Sequence, residues 1–164
     1  MGVLYYMEFS DGVNYTILVN NADKVFLENF RSYKVLDTME GFGAIKSQVE
    51  VFLSKRIVFN EIWYYLSKEE KSELLEILKK RNVSFVNITS NVEDVIYSDY
   101  VIVYDDDKKI LEGNKEMVLR NEKLLKSLGY GVPFVVDLSI QLNYYDIFDT
   151  VYYDMDKLTE ALWN

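Results

Sequence analysis

The sequence predicts an α/β domain, a mostly parallel sheet flanked by helices, with a small C-terminal helical appendix. Two observations carry this reading. From Ile57 to Tyr104, short apolar runs alternate with helix-patterned stretches in the order strand, helix, strand, helix, strand. Such an order implies parallel strands joined by crossovers, with helices covering the sheet. The only proline, Pro133, follows Gly129 and Gly131, which places a junction there. Residues 1–129 are read as the α/β body and residues 130–164 as an appendix packed on it, a candidate pairing region. No internal repeat, low-complexity segment or linker interrupts the chain.

In chain order, Val3 to Phe9 and Tyr15 to Val19 read as short strands around Asp11-Gly12, a dipeptide suited to a hairpin turn. Lys24 to Ser32 has helical spacing, with Phe26, Leu27 and Phe30 on one face. Gly41 and Gly43 mark a loop before a helix from about Ala44 to Ser54, and Ile57 to Phe59 is a short buried strand. Ser67 to Glu70 is a capping-box pattern: the serine oxygen accepts a backbone N–H while the glutamate reaches back to the cap. Leu74, Leu75 and Leu78 give that helix its apolar face until about Asn82. Val83 to Ile88 is a strand and Val92 to Tyr97 a short helix, whose Glu93 and Asp94 complement the helix dipole. Tyr100 to Tyr104 is a strand, and Asp105 to Lys108 a solvated turn into Lys109 to Leu111. Helices follow at Lys115 to Leu128, closed by Gly129, at Pro133 to Leu142, and at Met155 to Trp163, capped by Asp154.

Composition removes several function classes. At 164 residues the chain suits one domain with a real core, and an apolar content of 49% argues against disorder. A formal charge of −9 without a Lys/Arg-rich tract argues against nucleic acid or an anionic membrane surface as partner. With no cysteine and no histidine, disulfides, the usual zinc sites and Ser-His-Asp or Cys-His machinery fall away. No apolar run is long enough to span a bilayer, and MGVLYYMEFSDG lacks the pattern of a signal peptide. The expectation is a cytoplasmic protein without direct membrane insertion, associated with a membrane only peripherally, through a transporter.

The stretch from Arg56 to Leu128 carries a resemblance. It contains an apolar strand ending in Asn60-Glu61, a Ser-capped helix, a strand ending at Thr89-Ser90, a Glu-rich helix, a strand, a turn and Glu112-Gly113. In that order the pieces resemble the second half of an ABC-type ATPase, from the Walker B strand to the final hairpin. Ile110 to Gly129, Gly131 to Leu142 and Met155 to Trp163 narrow this, because they are similar to the ATPase subunits of energy-coupling-factor (cobalt and vitamin) importers. The resemblance implies a P-loop-NTPase-like sheet. The ABC helical subdomain would be missing, since Lys24 and Gly41 leave no room for it.

The same resemblance shows which chemistry has been replaced. A P-loop needs glycines so that backbone N–H groups turn toward phosphate, a Lys for the β/γ-phosphates and a Ser/Thr on Mg²⁺. The matching stretch LVNNADKVF (Leu18 to Phe26) keeps Lys24 and Asn21 but has no glycine, and Val25 cannot ligate a metal. Asn60 stands where the Mg²⁺-holding aspartate is implied, Glu61 where the water-orienting glutamate is, and Ser90 where the switch histidine is. The signature motif has at best a faint counterpart in Met39 to Gly43, with Glu40 in place of serine. Asn21, Lys24, Asn60 and Ser90 are thus read as a relic nucleotide site and Glu61 as a vestigial catalytic residue, with no metal site.

Trp63, Tyr64 and Tyr65 are large aromatics that suit either core filling or a partner contact. Tyr144, Tyr145 and Phe148 lie in an acidic, aromatic stretch that suits local packing or subunit pairing. The resulting expectation is a degenerate ABC ATPase-like protein, a pseudo-ATPase with no cofactor. It would pair with itself or with an ABC ATPase-like subunit as an interaction or regulatory subunit of an energy-coupling-factor-type transporter. Two alternatives stay open. One is an ATP- and Mg²⁺-binding subunit whose Lys24 and Glu61 are completed by a partner. The other is a stand-alone small-molecule-binding protein using Trp63, Tyr64 and Tyr65.

Overall fold

The computed structural model describes residues 9–22, 24–25, 30, 33–36, 40–51 and 55–164. All but Phe9 of the strand expected at Val3 to Phe9, and most of the helix expected at Lys24 to Ser32, lie outside the described residues. Six strands, β1 (Asn14–Leu18), β2 (Val35–Leu36), β3 (Arg56–Asn60), β4 (Ser84–Thr89), β5 (Tyr100–Asp105) and β6 (Lys108–Asn114), form one sheet in the order β2-β3-β4-β1-β5-β6. All neighbours are parallel except β5 and β6, which form an antiparallel hairpin. Apolar runs such as RIVFN and YVIVYD suit parallel strands covered on both faces.

Alternation along each strand divides the core. Ile17, Val58, Val86, Ile88 and Ile102 share one face with Phe9, Tyr15 and Phe30. On the opposite face Ile57, Phe59 and Phe85 pack with Ile45 and Val49 of α1 (Gly41–Val51) and Leu74 and Leu78 of α2 (Lys68–Lys80). Leu18, Val101 and Val103 pack instead against Val118, Leu125, Val135, Val136 and Leu158, from the C-terminal helices. These are α3 (Lys115–Leu119), α4 (Glu122–Ser127), α5 (Phe134–Tyr144) and α6 (Met155–Trp163). Residues on both sides of Pro133 therefore share one apolar cluster. The Tyr130 hydroxyl reinforces it by donating to the Tyr104 carbonyl at 2.7 Å and lying 3.4 Å from that of Leu18.

The capping box at Ser67 is present in both directions, Glu70 N–H to Ser67 Oγ at 3.1 Å and Ser67 N–H to Glu70 Oε1 at 2.9 Å. Asp154 caps α6 by accepting from the N–H groups of Asp156 and Lys157. Two expectations need correction. The helix placed at Ala44 to Ser54 begins at Gly41, where φ of +79° turns the chain into the first helical turn. The single helix expected over Lys115 to Leu128 is broken into α3 and α4. There the Asn121 side-chain amide donates to the Met117 carbonyl at 3.0 Å, taking the acceptor a continuing helix would use.

Candidate functional site

β1 lies between β4 and β5, although β4 and β5 follow one another in sequence. Open α/β sheets bind ligands outside the carboxyl ends of their strands at such a switch point. Here the ends of β1, β3 and β4 fall level, with Leu18 opposite Thr89 and Asn60 opposite Ile88. An open cleft of about 580 Å³ lies beyond them. Its walls are the ends of the strands and the loops that leave them: Asn20, Asn21 and Ala22 after β1, Asn60 at the end of β3 with Glu61 beyond it, and Thr89 at the end of β4 with Ser90 and Asn91 beyond it. Tyr64 and Tyr65 complete the rim.

The β3 loop turns sharply because Glu61 holds φ 38°, ψ −39°, a sparsely populated conformation for a residue with a side chain. A 3₁₀ turn over Ile62–Tyr65 follows, with the Tyr64 N–H donating to the Glu61 carbonyl at 2.9 Å. This geometry sends the aromatic run in two directions. Trp63, read from sequence together with its neighbours as an interface candidate, is 1% exposed and stacks on Phe85 at 5.1 Å. Its ring fills the core and offers no surface to a partner. Tyr64 and Tyr65 are 67% and 76% exposed, with their rings edge to face at 5.4 Å.

The β4 loop is braced from below. The Thr89 hydroxyl donates to Asp94 Oδ2 at 2.8 Å and accepts from the Asn91 N–H at 3.0 Å, while Asn91 Oδ1 caps the next turn by accepting from Glu93 N–H. Asp94 is buried, and Lys71 Nζ stands 3.7 Å from its other oxygen, over the rings of Trp63 and Tyr97. Trp63 Nε1 and Asn87 Nδ2 face this carboxylate without reaching hydrogen-bond geometry. Desolvation pushes the Asp94 carboxyl above the ordinary carboxylate range, against the opposing pull of the Thr89 hydrogen bond and the Lys71 charge. Asp94, like Glu93, is expected from its place in a first helical turn to complement the dipole. Only Glu93 is exposed, and it accepts from the Phe134 N–H at 2.8 Å. The available signal for Asp94 was a carboxylate between two apolar residues, Val92 and Val95, both of which are buried.

Of the residues implied by resemblance, Asn21, Asn60, Ser90 and Glu61 line the one cleft. Lys24 is exposed in the helix that follows β1 and does not line it. Among the described lining residues Glu61 carries the only charge. Elsewhere, Tyr144 and Tyr145 at the end of α5 are 80% and 70% exposed. Phe148 turns inward and packs on Tyr152 at 5.3 Å. Among the described residues no group of three or more His, Cys, Asp or Glu is placed to hold a metal ion, and no helix is long and apolar enough to cross a membrane.

No family model matches the chain. The energy-coupling factor transporter ATP-binding protein EcfA1 of Clostridioides difficile is 33% identical over 89 residues, 52% of this chain and 32% of that protein. Its counterpart in Lactobacillus delbrueckii subsp. bulgaricus is 30% identical over 128 residues, 75% of this chain and 43% of that protein. The structure of cbiO1 from Clostridium perfringens, part of the ABC transporter complex cbiONQ, superposes with a TM-score of 0.50 at 13% identity, covering 74% of this chain and 85% of that one. A chain from an inward-facing ABC transporter structure gives a TM-score of 0.51 at 12% identity, over 73% of this chain and 78% of that one. These two likenesses speak to fold. The chain spans 32% of the length of one of these EcfA1 proteins and 43% of the other. It is a homologue, over that part, of the ATP-binding proteins of energy-coupling-factor transporters, built on the fold of ABC transporter ATPases.

Proposed function

We propose that this protein is a non-catalytic ABC ATPase-like subunit, kept for its surfaces, that pairs with itself or with an ABC ATPase-like partner of an energy-coupling-factor-type transporter. The observation that carries this reading is the lining of the cleft at the strand ends. Amides and hydroxyls surround it, Glu61 is the one charge among the described lining residues, and Lys24 stands outside. A phosphate chain needs cationic groups and inward-turned backbone N–H groups, and Mg²⁺ needs oxygen ligands of negative charge. The loop Asn20-Asn21-Ala22 has no glycine to turn its N–H groups inward, and Asn60 brings an amide where a carboxylate would be required. These residues do not fit Mg²⁺-ATP, and no catalytic step is derived through it.

The fold-defining features are intact beside this altered lining: the switch-point strand order, the Ser67 and Asp154 caps and the shared C-terminal cluster. Decay without selection would have affected both sets alike. Exposed aromatics at Tyr64, Tyr65, Tyr144 and Tyr145 supply surface of the kind enriched at partner contacts. The experiment is phosphate release from Mg²⁺-ATP by the full chain, alone and mixed with an energy-coupling-factor ATP-binding subunit. No turnover by this chain is expected, and none should be lost from the mixture when Glu61 is changed to Gln. Turnover that disappears in Glu61→Gln would replace it with the second reading, residual hydrolysis completed by a partner. That second reading is favoured only by the position of Glu61 in the cleft.

A further inference from the structure

We infer that the strand-end cleft binds an uncharged small molecule with a ring face and a rim of hydrogen-bonding groups, the shared chemistry of nucleosides and sugars, and discriminates against phosphorylated ones. This rests on the reading above that the cleft is not an ATP site. The volume of about 580 Å³ falls in the range of small-molecule sites. Its polar lining is of one kind. Asn20, Asn21 and Ser90 are exposed at the strand ends, and Asn91 commits its Oδ1 to a cap while its amide N–H₂ faces no partner among the described residues. Side-chain amides and hydroxyls both donate and accept, which matches neutral polar groups without demanding a charge.

The rim supplies the flat surface. Tyr64 and Tyr65 meet edge to face, and both are exposed where they line the cleft. Aromatic platforms bind bases by stacking, with little dependence on which base is present. Glu61 gives the site its selectivity. Its carboxylate accepts from ligand hydroxyl or amino groups and repels phosphate across a cleft with no described lining cation to offset it. The unusual backbone at Glu61 and the Thr89–Asp94 brace place these groups before any ligand arrives.

Calorimetry on the full chain with adenosine, N-acetylglucosamine, Mg²⁺-ATP and inorganic phosphate tests this. The expected result is saturable one-site binding of adenosine or N-acetylglucosamine, the two arms telling a base-bearing ligand from a sugar. ATP should bind at least tenfold more weakly than adenosine, and phosphate not at all. Tyr64→Ala with Tyr65→Ala should weaken the neutral probe at least tenfold while unfolding at the parent temperature, since both rings are exposed. Glu61→Gln should narrow the gap between adenosine and ATP. No binding of either neutral probe at millimolar concentration overturns the inference and leaves the non-catalytic reading standing. ATP binding equal to or tighter than adenosine also overturns it, and ATP turnover would remove the underlying reading as well.

Discussion

The Thr89 hydroxyl donates to the buried Asp94 carboxylate at 2.8 Å, joining the last residue of β4 to the 3₁₀ turn over Val92–Tyr97. Because Thr89 also accepts from the Asn91 N–H, this contact sets the path of the loop carrying Ser90 and Asn91 into the cleft. It couples an interior ionisation to the shape of the candidate site.

Burial raises the Asp94 carboxyl above its ordinary range, so its sign in stability is fixed. The folded state holds the proton more tightly than the unfolded chain. The contribution is fully present below the unfolded value, about pH 4, and is lost as pH rises through the higher folded value. Asp94→Asn keeps an acceptor for Thr89 and removes the ionisation. The difference in melting temperature between Asp94→Asn and the parent should move in the variant's favour as pH rises from about 4 to 7. Asp94→Ala, which strands the Thr89 hydroxyl and leaves Lys71 without its carboxylate, should destabilise at every pH.

The three consecutive aromatics should behave as two kinds. Trp63→Ala removes a ring packed against Phe59, Phe85 and Tyr97 and should cost about 3–5 kcal/mol in urea unfolding. Tyr64→Ala and Tyr65→Ala should each fall within about 0.5 kcal/mol of the parent. No separate element marks this division in the sequence. One backbone angle at Glu61 decides which rings go inward, and such a turn leaves no trace in hydropathy.

Tyr130→Phe tests how the C-terminal segment is seated. It deletes the buried hydroxyl that bridges to the Tyr104 carbonyl while keeping the ring, and should cost about 1–2 kcal/mol in global stability. Burial raises the pKa of this hydroxyl to about 12, so it remains a donor throughout the neutral range.

Ser67→Ala should cost about 1 kcal/mol by opening the capping box, and Ser67→Asp should recover most of it. Chemical denaturation of the three proteins checks the order.

Strand positions were legible because parallel strands buried on both faces read as short apolar runs, and β3, β4 and β5 each match within about a residue. The caps at Ser67 and Asp154 were legible because capping chemistry is local. The insertion of β1 between β4 and β5 was not, since strand order is set by contacts far apart in sequence. The burial of Asp94 was missed for a related reason: a 3₁₀ turn repeats every three residues, which places Asp94 toward the sheet while Glu93 stays in solvent. Lys24 matched a phosphate-binding lysine in sequence order, yet its position in the helix after β1 leaves it outside the cleft lining.

On the proposed reading the strand-end cleft does not hold a nucleoside triphosphate. The decisive experiment is calorimetry of Mg²⁺-ATP against the full chain, beside Lys24→Ala. No saturable ATP binding is expected in either protein. Micromolar binding by the parent that is lost in Lys24→Ala would overturn that reading and restore a working nucleotide site.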